Sequence, residues 1–140
     1  FACGMYIPVI GIAAAAAREA VLSGVSFAVV TTTPKLAPSI DEMMRAEGGD
    51  TYLGCHTTEE DPLVLASNSD ALDYALITSC EIAKKAGAKR VIIGGGPLGQ
   101  AATRISSQVK VPLIQPLVAA CSEVSALIEH QLPHVQDVGR

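Results

Sequence analysis

Two short apolar runs constrain this chain more than any other feature. Residues 25–31 contain Val25, Phe27, Ala28, Val29 and Val30 with no polar alternation, and residues 89–93 end in Val91, Ile92 and Ile93. Each has the length of a strand and is apolar on both of its faces. A strand of that kind must be covered on both sides, which is the condition of a parallel sheet with helices above and below it. Between and around the two runs lie stretches with helical spacing. The alternation of strand and helix signals therefore predicts an α/β fold built from right-handed strand-helix-strand units.

Further elements follow from the same reading. Residues 7–12 read as a first short strand, and residues 13–22 as an alanine-rich helix ended by Ser23 and Gly24. Residues 36–47 read as a helix with Ile40, Met43 and Met44 on one face. Residues 50–55 read as a shorter strand, and the acidic stretch from His56 to Asp61 as a solvated loop. Val64 and Leu65 are placed to touch the core. Residues 68–86 read as the longest helix, with Leu72, Tyr74, Ala75, Ile77 and Ile82 as its apolar positions. Residues 100–109 read as a helix, 111–114 as a strand and 116–130 as a last helix. The segment 133–140 has no periodic pattern and is expected to be a mobile tail. One α/β domain over 1–132, incomplete at its N-terminus, is the expected organisation, because the chain opens inside an apolar Phe-Ala-Cys run.

Composition narrows the function. Aromatics make up only 4 % of residues against 49 % hydrophobic overall, so the core must be built from Ala, Val, Ile and Leu. The formal charge is −4 and the basic residues are scattered, which gives no footprint for nucleic acid. The longest apolar stretch, residues 9–17, falls short of the roughly 20 residues that a membrane span needs. Four cysteines occur, Cys3, Cys55, Cys80 and Cys121, with no C-x-x-C pair. A reduced, cytoplasmic setting is expected, with Cys80 and Cys121 as small buried hydrophobes in helices. Cys55 and His56 are neighbours on a strand and point to opposite faces, which argues against a shared metal ion. No metal and no cofactor is expected. The apolar helix over 13–22 suits packing within one chain or against a partner subunit, so a homo-oligomer is compatible with the sequence.

In a parallel sheet, ligands bind at the carboxyl ends of the strands. Three loops fall there. Thr31, Thr32 and Thr33 close the first strong strand, before Pro34. Their hydroxyls and amides suit a small anionic or amide-bearing ligand, although one threonine is equally suited to cap a helix. Gly94, Gly95 and Gly96 close the second strong strand, where missing side chains let a ligand approach the backbone near a helix start. The triplet Gly94, Gly96 and Gly99 matches the spacing of a dinucleotide fingerprint. Pro97 intrudes, however, and no acidic residue stands about 20 positions on. A carboxylate or imide oxygen fits this loop as well as a phosphate does. Cys3, in Ala2-Cys3-Gly4-Met5, is a candidate thiolate base.

Taken together, the segments 8–15, 27–34 and 91–96 resemble the aspartate/glutamate/hydantoin racemase superfamily, in particular its hydantoin and allantoin racemase branch. The segment Val111-Pro112-Leu113-Ile114 and the helix after it look like the family's C-terminal closure. The resemblance implies a fold of two similar α/β lobes with the active site between them, of which this chain would supply the second lobe with the N-terminal lobe largely absent. It implies cofactor-independent racemase or isomerase chemistry at the carbon alpha to a carbonyl of a small hydantoin, ureide or amino acid. In the family, one cysteine thiolate removes the proton and a second thiol on the opposite face returns one. Cys3 falls near the first family cysteine. The place of the second is Gly95, a departure that leaves three outcomes open: one-sided chemistry, another group recruited to that face, or a non-catalytic small-acid or ureide binding protein. The implied substrate-binding residues are Thr31, Thr32, Thr33, Gly94, Gly95 and Gly96.

Overall fold

The computed structural model of the chain describes residues 12–94 and 98–131. Among them, four parallel strands form one sheet: β1 (Phe27–Thr31), β2 (Tyr52–Thr57), β3 (Arg90–Ile93) and β4 (Leu113–Ile114), in the order β2-β1-β3-β4. Six helices flank it: α1 (Ile12–Leu22), α2 (Ala37–Gly48), α3 (Pro62–Ser67), α4 (Ser69–Lys85), α5 (Gly99–Ile105) and α6 (Pro116–Gln131). The expected α/β class with a parallel sheet is what the chain adopts. The strand expected at 7–12 lies almost wholly outside the described residues, as does the tail at 133–140.

The strand pleat sorts the core into two halves. Phe27, Val29, Ile92 and Ile114 point to one face, where α1, α2 and α6 cover them with Ala16, Ala20, Met44 and Ala119. Ala28, Val30, Val91 and Ile93 point to the other, where α4 and α5 cover them with Leu76, Cys80, Ala83, Ala102 and Ile105. All five residues of β1 are buried. From Phe27 to Val30 and from Val91 to Ile93 every apolar residue thus finds a helix on its own side, as a sheet buried on both faces requires, while Val25 lies before β1 and is only half-buried.

Local chemistry sets the ends of the elements. Asp61 caps α3 by accepting from the Leu63 amide at 2.8 Å, with Pro62 at the first helical position. Asn68 caps α4 by accepting from the Ala71 amide at 3.1 Å. Gly54, with φ +132°, sits where the β1–β2 register shifts between Phe27 and Val29. That backbone conformation suits glycine, and the extra residue makes a bulge.

The structure departs from the sequence expectations in several places. β2 runs to Thr57, so His56 is a strand residue paired with Val30 and not part of a loop. The helix α3 stands where only an apolar contact was expected; Leu65 is buried in it and Val64 is exposed. α4 buries Ala75, Leu76, Ser79, Cys80 and Ala83, while Tyr74 and Ile82 face outward. The buried set recurs at three- and four-residue steps, and the two outward residues lie off that stripe. Met44 is buried and Met43 exposed. Cys80 is buried as expected, but Cys121 is exposed. α5 ends at Ile105, whose carbonyl accepts from both Gln108 and Val109 and closes the helix in a turn before residue 109.

Among the described side chains, α1 meets the sheet through alanines: Ala15, Ala16, Ala17 and Ala20 are at most 1 % exposed. Backbones packed that closely leave no room for a larger side chain. Ala16→Leu is expected to destabilise the chain by roughly 1–3 kcal/mol, through overpacking between α1 and the sheet. A urea titration followed by far-ultraviolet circular dichroism measures it; an unchanged midpoint would show that this layer is loose.

Candidate active site

The topology makes one crevice at the carboxyl edge of the sheet. From β1 the chain turns outward to β2, and from β3 it turns the opposite way to β4. The loops leaving β1 and β3 therefore diverge, and the gap between them is the topological switch point where open parallel sheets bind ligands. The threonine turn leaves β1 there and the glycine turn leaves β3 there.

The two turns touch. The Gly94 amide donates to the Val30 carbonyl at 2.7 Å and extends the ladder by one bond. A Cβ on Gly94 would lie 3.0 Å from Val29 Cγ1 and 3.8 Å from Thr31 Cβ. Glycine is needed at this position for close approach, and its amide is already engaged. Donors for a ligand must come from elsewhere in the turn. Thr31 is buried, its carbonyl accepts from the Thr58 amide at 3.1 Å, and its hydroxyl accepts from the Thr33 amide at 3.4 Å. Thr31 therefore shapes the turn. Thr32 is nearly buried and Thr33 half-buried. Thr33 occupies the N-cap position of the 3₁₀ turn Pro34–Leu36, and its side chain makes no capping bond. The hydroxyl of Thr33 is thus not consumed by the cap role that the sequence allowed one of the three.

Beneath the crevice, on the α1/α2/α6 side, lies a cavity of about 190 Å³. Its walls among the described residues are almost entirely apolar and include Val29, Leu36, Ile40, Met44, Ile92 and Pro116. The sequence reading missed this wall. Ile40 and Met44 were legible as a buried helical face, and nothing in one chain's sequence tells a filled core position from one bordering a cavity. Thr58 was missed for a similar reason, since it stands in a polar stretch read as loop.

Cys3, Gly95 and Gly96 lie outside the described residues. The remaining thiols can be assessed. Burial, and then the nearby Asp41 charge, pushes the Cys55 thiol up to about 11. Burial, and then Glu81, pushes Cys80 up to about 12. Both are protonated at neutral pH, so neither offers a thiolate. His56 sits next to Cys55 on β2, and no group of three His, Cys, Asp or Glu side chains able to hold a metal ion occurs among the described residues. No described helix is long and apolar enough to cross a membrane.

The architecture is that of a parallel α/β protein with a crevice at its strand ends. The match to known proteins is specific. The model of the Asp/Glu/hydantoin racemase family matches residues 3–124, and the chain belongs to that family. It is 28 % identical over 123 residues to a hydantoin racemase of Rhizobium meliloti, a match covering 86 % of this chain and 51 % of that protein. Among solved structures, an allantoin racemase from Klebsiella pneumoniae superposes with a TM-score of 0.77 at 27 % identity, over 89 % of this chain and 52 % of the other. An allantoin racemase from Pseudomonas fluorescens gives a TM-score of 0.78 at 23 % identity, over 90 % and 55 %. The chain spans about half the length of these relatives.

The thiol environments predict an order of reactivity. Each unit by which a thiol pKa is raised lowers its thiolate fraction about tenfold at neutral pH. Iodoacetamide at pH 7.5, with peptide mapping, is expected to label exposed Cys121 and to lag at least tenfold at Cys55 and Cys80. Rapid labelling of Cys55 would show an activated thiol beside the crevice strands.

Proposed function

We propose that the chain acts as a cofactor-independent racemase or isomerase on a small hydantoin, ureide or amino acid, using the Cys3 thiolate as base at the carbon alpha to a carbonyl. The observation that carries the reading is the contact between the Thr31–Thr33 turn and Gly94 at the switch point, directly above the apolar cavity. A ring carbonyl or carboxylate would lie on the threonine turn and on amides of the glycine turn. An apolar substituent would drop between Leu36, Ile40 and Met44. Proton removal puts charge on the carbonyl oxygen, and fixed donors at that oxygen favour the charged state more than the starting one. The family relationship supports this class of chemistry, and the cysteine and the substrate are the proposal.

The acid/base inventory favours a one-sided form of it. Inversion needs a proton donor on the face opposite the base. Gly95, at the sequence position that the resemblance gives to the second cysteine, carries no side chain, and burial holds Cys55 and Cys80 protonated. A single thiolate exchanges the alpha proton and returns it to the same face. Solvent deuterium is therefore expected to enter the alpha position of a 5-substituted hydantoin faster than the opposite enantiomer accumulates. Cys3→Ser should lower exchange by roughly 10²–10⁴-fold. Exchange that survives the substitution removes Cys3 from the reaction.

The same missing side chain supports a second reading, a non-catalytic binder of small acids or ureides. The two readings separate in one experiment. A hydantoin that raises the melting temperature with no deuterium uptake at any pH identifies a binder. In either case the largely apolar cavity predicts that 5-isobutylhydantoin stabilises the chain more than allantoin, whose ureido group would lose its hydrogen bonds against these walls. Equal shifts for the two would place the ligand elsewhere.

A further inference from the structure

A second cavity, of about 280 Å³, lies on the α4 face of the sheet, between the carboxyl end of β2 and helix α4. Its inner side is polar and is buried by this chain's own elements: Thr58 is 4 % exposed and Ser79, on α4, 5 %. The buried Thr58 hydroxyl has no hydrogen-bond partner among the described residues. The Thr58 amide, by contrast, is engaged, since it donates to the Thr31 carbonyl at 3.1 Å. A buried hydroxyl without a partner has lost water and gained nothing, and in folded proteins such a group ordinarily meets protein, water or ligand. The hydroxyl can move to meet one. A turn about the Cα–Cβ bond exchanges it with the methyl or hydrogen beside it, and no existing bond opposes the turn.

The shape and charge of the cavity select the occupant. Its volume is far above the roughly 30 Å³ of one water. Glu59 and Glu60 line it and are exposed, so they form its mouth, and no basic side chain stands among its described lining residues. The mouth therefore repels an anion and attracts a cation. Tyr74 lines the same mouth, and an aromatic face adds to the attraction for an ammonium group. Ile82 supplies an apolar wall. A bare metal ion is poorly served by two carboxylates, and no group of three His, Cys, Asp or Glu side chains able to hold one occurs among the described residues. The walls suit a positive nitrogen with N–H donors joined to a short hydrocarbon.

We propose that this cavity is a second binding site, for a small organic ammonium. The nitrogen lies between the Glu59 and Glu60 carboxylates and the Tyr74 ring and donates to the Thr58 hydroxyl, while the hydrocarbon rests on Ile82. The site is separate from the proposed chemistry, because the crevice cavity lies on the opposite face of the sheet, under α1, α2 and α6.

Titration of the ¹⁵N-labelled chain with n-butylammonium chloride at constant ionic strength, followed by amide shifts, tests it. Saturable shifts should gather at residues 57–60 and 74–82, with a dissociation constant on the order of 1 mM. Butyrate, the anion of the same length, should give none, and 1-butanol should bind at least tenfold more weakly. Exposed carboxylates contribute little one at a time, so Glu59→Gln and Glu60→Gln are combined, and together should weaken binding at least fivefold. Thr58→Val should weaken it at least fivefold, while Thr58→Ser, which keeps the hydroxyl, retains it. Tyr74→Leu, at a side chain 70 % exposed, should weaken it about two- to fivefold and serves in place of Thr58→Val if that variant fails to fold. Butanol or butyrate binding as well as butylammonium, shifts centred elsewhere, no saturable shift, or affinity unchanged in the double glutamate variant overturns the proposal.

Discussion

Everything in this fold hangs on the complete burial of β1. Its five residues take hydrogen bonds from β2 on one edge and β3 on the other, and helices cover both of its faces. No polar side chain inside it needs water, because the one hydroxyl, on Thr31, is turned onto the Thr33 amide. A slip of one residue would exchange Phe27 and Val29 for Ala28 and Val30 across the sheet. The α1 side holds the Phe27 ring against Tyr52, with centroids 5.5 Å apart, and the α4 side has room made by Ala28. That asymmetry locks the register. The register in turn places Thr31 at the strand end and Gly94 against it. The crevice is thus a consequence of core packing in the central strand.

The same strand explains what was legible in the sequence. A run apolar on both faces has few structural solutions, so the α/β class, the parallel sheet and the two loops at the strand ends could be read from residues 25–34 and 89–96 alone. Faces of the outer helices were harder. Tyr74 and Ile82 are apolar at helical spacing, yet α4 presents a different stripe to the sheet, chosen by the small residues Ala75, Ser79 and Ala83 that permit close approach. Cys121 was misread for the same reason. α6 offers two apolar stripes, and tertiary packing, not periodicity, selects Ala119 and Ala120 as the inner one. His56 followed from a strand end misplaced by two residues, where the Gly54 bulge hides the true length of β2. The cavity wall had no sequence signal, because a void is a property of how helices meet.

The chemistry proposed for the crevice is limited by dielectric more than by the number of cysteines. Four thiols are present in the chain, but a thiol serves as a base only where its anion is supported. Cys55 lies on β2, one strand from the crevice, and burial there raises its pKa and keeps it neutral. Desolvation that silences Cys55 and Cys80 is the same burial that gives the sheet its stability. The edge where helix amino ends gather is the part of such a sheet that favours an anion. In the proposed chemistry the base is Cys3, the cysteine to which the family resemblance points, since Cys55 and Cys80 are held neutral by burial. The resemblance gives the second cysteine's place in the sequence to Gly95, so the proposed chemistry treats the two faces of its substrate unequally.

Small side chains connect the core to the outer surface of α6. With aromatics at 4 % of residues, the chain achieves density by bringing backbones together, as in the alanine contact of α1 with the sheet and α6. Helices in such close contact have little freedom to rotate, since turning α6 about its axis would drive Leu117 or Val124 into the space of an alanine. The Arg18 fork to Glu123 restrains the same rotation from the rim, and the 3.8 Å approach of Arg18 to Glu47 ties α2 to the pair. The outward stripe of α6 is accordingly held at one fixed angle to the sheet. The packing that removes large side chains from the inside of α6 is thus what keeps the large ones on its outside in register.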